Sequence, residues 1–286
     1  MEQIKIKTID QLPDTLLEDI LIRLDIETLQ SSGNKVSIKW RQTLNSKLFW
    51  KRFLKYHNVH IPRDVLHSNT FSWSFYKSLA TSFLMNGEIP YDRNLLKNAS
   101  GEMEEDPKVL EQGNRNSEDF DEHWFKHWYI WSSSGQGWRL YREENGTSYF
   151  ATSNISCTKQ QTILLENIGL PLQMLELYQP EIVFEEMYSK HLGHGCTYEV
   201  TFELHDESDK NVVDPYTYRV NMTPDEDDSW RTVRYVFKNY GGGVRKLKLY
   251  HGGFAEDMED GWWGTKITGS KVIIKFPDPK NVENAK

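Results

Sequence analysis

The sequence predicts an α+β chain, mainly β: a small N-terminal unit of three helices, a linker helix, and then an antiparallel sandwich of about ten strands. Three observations predict it. Leucines and isoleucines recur at helical spacing between Leu12 and Phe53. Short alternating runs bounded by Gly, Asn, Asp and Pro begin at Trp124 and continue almost to the end. The chain also carries 14 Tyr, 13 Phe and 10 Trp, residues that suit pleated surfaces.

In the first helix Leu16 and Ile20, and Leu17, Leu21 and Leu24, recur at intervals of three and four and form one stripe. Pro13 suits a first helical turn, and Asp14 and Glu18 lie near the positive end of the helix dipole. A second stripe runs through Val36, Trp40 and Leu44 to Leu48, Phe49, Phe53 and Leu54. Some forty residues cannot make a self-sufficient core, so this much apolar surface calls for a docking partner, or else for packing on the rest of the chain. Phe71, Phe75, Leu79 and Phe83 give a further helix in the stretch 57–90, the expected linker. Lys97 to Glu122 is polar, acidic and aperiodic, and reads as extended coil. Strands are expected at Trp138–Tyr141, Gln161–Leu165, Ile182–Tyr188, Thr197–Leu204, Tyr216–Met222, Arg231–Phe237, Arg245–Tyr250 and Lys271–Phe276. Pro171 to Tyr178 reads as a short helix plugging one end of the sandwich, and Trp124, Trp128 and Trp131 as core or edge packing.

Charge is uneven along the chain. Residues 1–85 hold 12 Lys or Arg against 8 Asp or Glu, a balance of +4, and the remainder holds 22 against 34, a balance of −12. An acidic larger domain has no electrostatic footprint for nucleic acid or an anionic membrane, and a mildly basic helical start suits an acidic partner. Cys157 and Cys196 stand far apart without CxxC spacing, so neither a disulfide framework nor a cysteine zinc site is indicated. No signal-peptide core or membrane span is present, which points to a reducing, cytoplasmic compartment, with the nucleus as a second. In that setting the triplets at Asn98, Asn145, Asn154 and Asn221 are not glycan acceptors.

Residues 8–56 resemble an F-box, through the Leu12-Pro13 opening with Leu16, Leu17, Ile20 and Leu21 behind it, the Val36 to Trp40 step, and Leu48 with Trp50. Gly33 and Lys35 depart from the family's small or apolar mid-box residues, and Gly33 costs a helix roughly 1 kcal/mol relative to Ala. The phrases RNLLKNASGE, GQGWRL, SYFATS, GLPLQMLELYQPEIVFEEMYS, GCTYEV, NYGGGVRKLKLYHGG and GWWGTKITGSKVII, in that order, resemble the F-box-associated domain of proteins that recognise sugar chains on glycoproteins. The resemblance implies a jelly-roll-type sandwich over residues 91–277, with a polar tail at 278–286. It also implies a non-catalytic substrate-recognition subunit of a Skp-cullin-F-box ubiquitin ligase. The ten residues from Leu12 to Trp50 quoted for the F-box would face a Skp-type adaptor, and through it cullin and a RING subunit.

In the sugar-binding relatives, two loops at one end of the sandwich hold a chitobiose core, with an aromatic ring on one loop and Tyr-Trp-Lys on the other. These positions fall on Asn154 and on Met258, Glu259 and Asp260, none of which keeps the chemistry. Losing two stacking rings removes on the order of 3 kcal/mol, about a hundredfold in affinity, so the family's glycan mode is expected to be weak here. Phe254, Trp262 or Trp263 could take over stacking only in a shifted register. The target is then a protein sent for degradation, a misfolded glycoprotein among the candidates, with an N-glycan receptor as the alternative. Glu256, Asp257, Glu259 and Asp260 could hold a basic segment of it, or form a solvated hairpin end. His191, His194 and Cys196, or His123 with His127, lack the rest of a ligand set, so no metal and no cofactor is expected. A carbohydrate-active enzyme would need two carboxylates facing each other across a cleft, and no catalytic motif is present.

Overall fold

The computed structural model describes residues 11–25, 28–29, 33–102, 125–142, 146–170, 172–257 and 260–279, with backbone alone at 33–34. Met258, Glu259, His123, Trp124, Asn145 and most of the expected coil after Lys97 lie outside the described residues. The chain divides into two compact units, one of Met1–Tyr91 with Glu166–Pro180 and Phe276–Lys286, the other of Asp92–Leu165 with Glu181–Lys275.

The first unit is helical. Helix α1 (Asp14–Leu21) buries Leu17 and Leu21. After the short α2 (Gly33–Val36), α3 (Ile38–Leu44) starts at Ser37, whose hydroxyl accepts the Trp40 amide at 3.2 Å. Helix α4 (Lys47–Tyr56) is capped the same way by Ser46 and carries the core of the unit, Phe49, Trp50, Phe53 and Leu54. The Trp50 indole donates to the Leu44 carbonyl at 2.7 Å, which satisfies its one polar atom inside that core. Helix α5 (Arg63–His67) is tied to α6 (Trp73–Asn86) by the Tyr76 hydroxyl, which donates to the Val65 carbonyl at 2.6 Å. Gly87, in the left-handed conformation at φ +74°, ends α6.

Two expectations change in this unit. The helix expected as a linker, α6, is an integral part of it, with Phe75, Tyr76, Leu79 and Ala80 buried. Helix α7 (Leu172–Tyr178), expected with the sandwich, is grouped with the helical unit. The reason is aromatic packing: the Tyr178 ring meets Phe71 and Phe75 edge-on at 5.1 and 5.4 Å, and those two stack at 4.5 Å.

The second unit is a sandwich of two antiparallel five-stranded sheets. One has the order β1-β4-β9-β6-β7, from β1 (Tyr129–Ser133), β4 (Cys157–Leu164), β9 (Lys246–Ala255), β6 (Cys196–His205) and β7 (Tyr216–Met222). The other has the order β2-β3-β10-β5-β8, from β2 (Trp138–Arg142), β3 (Ser148–Thr152), β10 (Lys266–Ile274), β5 (Ile182–Ser189) and β8 (Arg231–Phe237). Alternation puts Tyr198, Val200, Phe202 and Leu204 of β6 inside, where Phe184 stacks on Phe202 at 5.4 Å and Tyr188 on Tyr198 at 4.2 Å.

All eight expected strands are present; β1 and β3 are additional. Strand β1 is a mostly exposed edge, and β3 is buried at four of five positions, so neither alternates clearly in apolar character. On that edge Trp131 is 68% exposed, whereas Trp128 is buried. Strand β9 runs past Tyr250 because Gly252 lets β4 approach: a Cβ there would lie 1.9 Å from the Cys157 carbonyl oxygen. Strand β10 starts at Lys266, ahead of the expected start, and a bulge between Thr268 and Lys271, with Gly269 at φ +61°, interrupts its pattern.

A polar cluster sits inside the sandwich. Fully buried Glu186 of β5 accepts from Tyr198 of β6 and Ser270 of β10, each at 2.5 Å, and lies 2.5 Å from Nδ1 of His251 of β9. Buried Lys159 of β4 has its ammonium 4.3 Å from the Trp128 ring centre and 5.0 Å from that of Trp138, with Phe125 and Phe150 completing the cage. Burial alone would raise the Glu186 carboxyl, but the His251 ring and the three hydrogen bonds hold it below the ordinary range. Burial lowers His251 and lowers Lys159 further still, against the attraction of Glu186.

In each of these three groups the unfolded chain binds the proton more readily, so stability falls as pH falls: for Lys159 below its ordinary 10.5, for His251 below 6.5, and for Glu186 through its lowered range. The urea midpoint of the sandwich is therefore expected to drop steadily from about pH 9 to about pH 5. Lys159→Met should raise it at neutral pH and flatten the slope. Glu186→Ala strands three buried donors and should cost about 3–5 kcal/mol. Arg219→Ala, in an exposed pair with Glu199, should cost less than about 1 kcal/mol.

Candidate functional site

The residues expected to face an adaptor separate into two sets. Leu16, Ile20, Val36 and Leu48 are between 42 and 64% exposed, and Ile38 joins them. Leu17, Leu21, Trp40 and Trp50 are buried within the helical unit and do not reach a partner's surface. Helical geometry explains the split, since Leu16 and Ile20 share one face of α1 while Leu17 and Leu21 share the next, which packs inward. Leu12 is half-buried beside exposed Pro13, and its carbonyl accepts from Lys39, which also pairs with Asp14 at 2.8 Å. Arg52 of α4 bridges to Glu18 and Asp19 of α1. These ion pairs tie α1 to α3 and α4 while Leu16, Ile20, Val36, Ile38 and Leu48 stay exposed.

In the sandwich, pairing register gathers five connections at one end: 134–137, 153–156, 190–195, 223–230 and 256–265. Asn154 is half-buried there against Gly135, where a Cβ would lie 2.6 Å from Asn154 Oδ1, and that oxygen is buried without a hydrogen bond. Asp260 is exposed, and its backbone carbonyl accepts from the Trp263 indole at 3.1 Å. Phe254 lies on the sheet face, 5.9 Å from the Arg219 guanidinium, and is part of β9. Met258 and Glu259 are outside the described residues.

The loop 256–265 is held by groups that the sequence did not single out as partners. His194 lies 2.8 Å from Asp257 and stacks on Trp263 at 4.6 Å with a 6° interplanar angle. His191 meets the same indole edge-on at 5.7 Å. Trp262 donates to the Gln136 carbonyl at 3.2 Å and stacks under the Arg139 guanidinium at 4.4 Å. The acidic run is thus partly committed: Asp257 is paired to His194, and the Glu256 amide donates to the Gly195 carbonyl at 2.8 Å. His191 and His194 are spent on one tryptophan, and Cys196 points inward with its thiol pushed up to about 11 by burial. Among the described residues no group of three or more ligands could hold a metal ion. His194 and Asp257 are sixty-three positions apart, so no local pattern could have paired them.

Residues 87–274 match the family model described as the F-box associated region. The chain is 27% identical to F-box only protein 2 of Bos taurus over 279 residues, covering 93% of this chain and 84% of that one. It is 24% identical to F-box only protein 6 of Homo sapiens, covering 97% and 86% of the two chains. It is 22% identical to F-box only protein 44 of Mus musculus, covering 95% and 98%. Among solved structures, a xylan-binding domain from Paenibacillus barcinonensis covers 52% of this chain and 86% of its own at 10% identity and a TM-score of 0.31, a likeness too slight to bear on function.

The latch on loop 256–265 is testable by itself. His194→Ala removes a ring from Trp263 and a hydrogen bond from Asp257. Amide exchange in that loop is expected to rise about tenfold with the global unfolding midpoint nearly unmoved. Unchanged exchange would show that the loop holds without it.

Proposed function

The chain belongs to the F-box associated region family, and from that membership we propose that it is the substrate-recognition subunit of a Skp-cullin-F-box ubiquitin ligase. Its N-terminal helices act as the F-box. The observation that carries this reading is the exposure of Leu16, Ile20, Val36, Ile38 and Leu48 within residues 12–54, where the other described large apolar residues are buried or half-buried. Relatives that cover nearly the whole chain carry the F-box in their names, which supports it. A Skp-type adaptor covers the ridge, and cullin and a RING subunit follow through it. Ubiquitin transfer belongs to those subunits, and this chain contributes a raised local concentration of target.

The sandwich binds the target through the loop end. From β3 onward the strand orders β3-β10-β5-β8 and β4-β9-β6-β7 support the jelly-roll wrapping of the family. The position matches Asn154 and Asp260, with Met258 and Glu259 in sequence, supply no stacking ring, so the target is held as a protein and a glycan on it adds little. Buried reduced thiols at Cys157 and Cys196, and no helix among the described residues able to cross a membrane, fit a cytoplasmic setting, the nucleus being the second.

Co-purification of the full chain with the adaptor tests the first half. A Leu16→Ala, Ile20→Ala variant should keep its fold and lose the adaptor, because both side chains are exposed. Leu17→Ala should instead destabilise the helical unit by about 2–5 kcal/mol. Retention of the adaptor by the double variant would overturn the assignment. A glycan array on the purified complex should give no signal, and retention of high-mannose chains would make the sandwich a glycan receptor.

A further inference from the structure

In the acidic second unit many cations have found carboxylates: Lys246 and Lys248 meet Asp209, Lys271 meets Glu185, Arg231 meets Glu226, and Lys238 meets Glu181. The side chains of Arg139 and Lys266 have neither an ion pair nor a hydrogen bond among the described residues. They are also neighbours in register. Arg139 of β2 and Lys266 of β10 each stand opposite Ala151 of β3, so both project from the outer face of their sheet on either side of a small, buried residue. Two strand spacings put their Cα atoms about 10 Å apart.

The next cross-strand row is aromatic. Tyr141 stands opposite Tyr149 with ring centres at 5.4 Å. The Arg139 guanidinium lies 5.3 Å from the Tyr141 ring and stacks on Trp262, which occupies its face and leaves the N–H groups in its plane unused. Lys266 is only 7% exposed, with its ammonium 5.7 Å from the Tyr149 ring and 5.2 Å from that of Trp230. His191 stands beside both tyrosines at 6.3 and 6.2 Å, and its Nε2 is buried without a partner. Burial, then the charges of Lys266 and His194, hold the His191 ring down at about 4, with Asp228 opposing, so the ring is neutral at physiological pH and keeps an N–H to give.

We propose that this face, Arg139 and Lys266 over the Tyr141–Tyr149 pair with His191 beside them, is a binding site for a phosphate monoester carried on the target polypeptide. A dianion balances two uncompensated cations, whereas a carboxylate leaves one unpaired and a neutral sugar leaves both. The surrounding rings keep water from the Lys266 ammonium and so strengthen its attraction. The negative charge of Asp228, which opposes Lys266 at His191, disfavours a polyanion. The carrier assignment rests on the reading of the sandwich as the target-binding domain; the phosphate site does not.

The test is titration of the full chain, in complex with its adaptor where that forms, with inorganic phosphate, phosphoserine, phosphotyrosine and glucose 6-phosphate, followed by calorimetry and by the NMR signals of His191. Saturable binding in the millimolar range or tighter is expected. Arg139→Gln, at an exposed position, should weaken it about tenfold, Lys266→Met should abolish it, and Lys266→Arg should restore it. Lys248→Gln on the other sheet should leave it unchanged. His191 should titrate above about 4 when phosphate is bound. Failure to saturate, or equal binding by Arg139→Gln, overturns the site. Tighter binding of glucose 6-phosphate than of either phosphoamino acid overturns the polypeptide carrier. A chain that binds phosphate without binding the adaptor sinks the ligase reading and leaves the site standing.

Discussion

The sandwich depends on one buried carboxylate. Glu186 belongs to β5, and its two oxygens take hydrogen bonds from β6 and β10 and lie against the His251 ring of β9. Two of those strands are in one sheet and two in the other, so the carboxylate joins the layers by direction as well as by contact. Apolar packing between sheets tolerates sliding, but a carboxylate with its partners in place does not, because any shift leaves a buried donor unpaired. The cluster therefore fixes the relative placement of the two sheets, at a cost in desolvation that an apolar core would avoid.

That placement is what the loop end requires. The connections that meet there come from both sheets, and each is four to ten residues long, so their positions follow from the strands that feed them. His194 leaves β5 and enters β6, while Asp257 and Trp263 lie between β9 and β10. A latch between such segments holds only if the strands beneath them keep a constant register. The same holds for Arg139, Ala151 and Lys266, which form a row only because β2, β3 and β10 pair without slippage at those residues.

Sequence reasoning reads what is periodic and local. The eight strands whose outward and inward residues alternate were legible, while β1 and β3 were not, one being too exposed and the other too buried to alternate. The helix Leu172–Tyr178 was legible as a helix, yet its home was not, since that was decided by a tyrosine meeting two phenylalanines a hundred residues earlier in the chain. At the loop end the sequence identified residues that no longer carry aromatic chemistry. It could not reveal that His194 would stack on Trp263 or Arg139 on Trp262, because contacts between distant segments leave no spacing behind.

Helix α1 shows how far a spacing argument reaches before geometry must finish it. Leu16, Leu17, Ile20 and Leu21 all satisfy the apolar periodicity, and the pattern alone assigns them to one wide stripe. The packing divides that stripe. Leu17 and Leu21 are fully buried, and Leu16 and Ile20 are turned out by the advance of a single residue. A helix face that serves only its own core carries polar residues outward, as α4 does at Lys51, Arg52 and Lys55 although not at Leu48. Apolar residues kept in water expose a helical unit to aggregation unless something covers them, so the outward Leu16 and Ile20 of α1 support the docking role proposed for it.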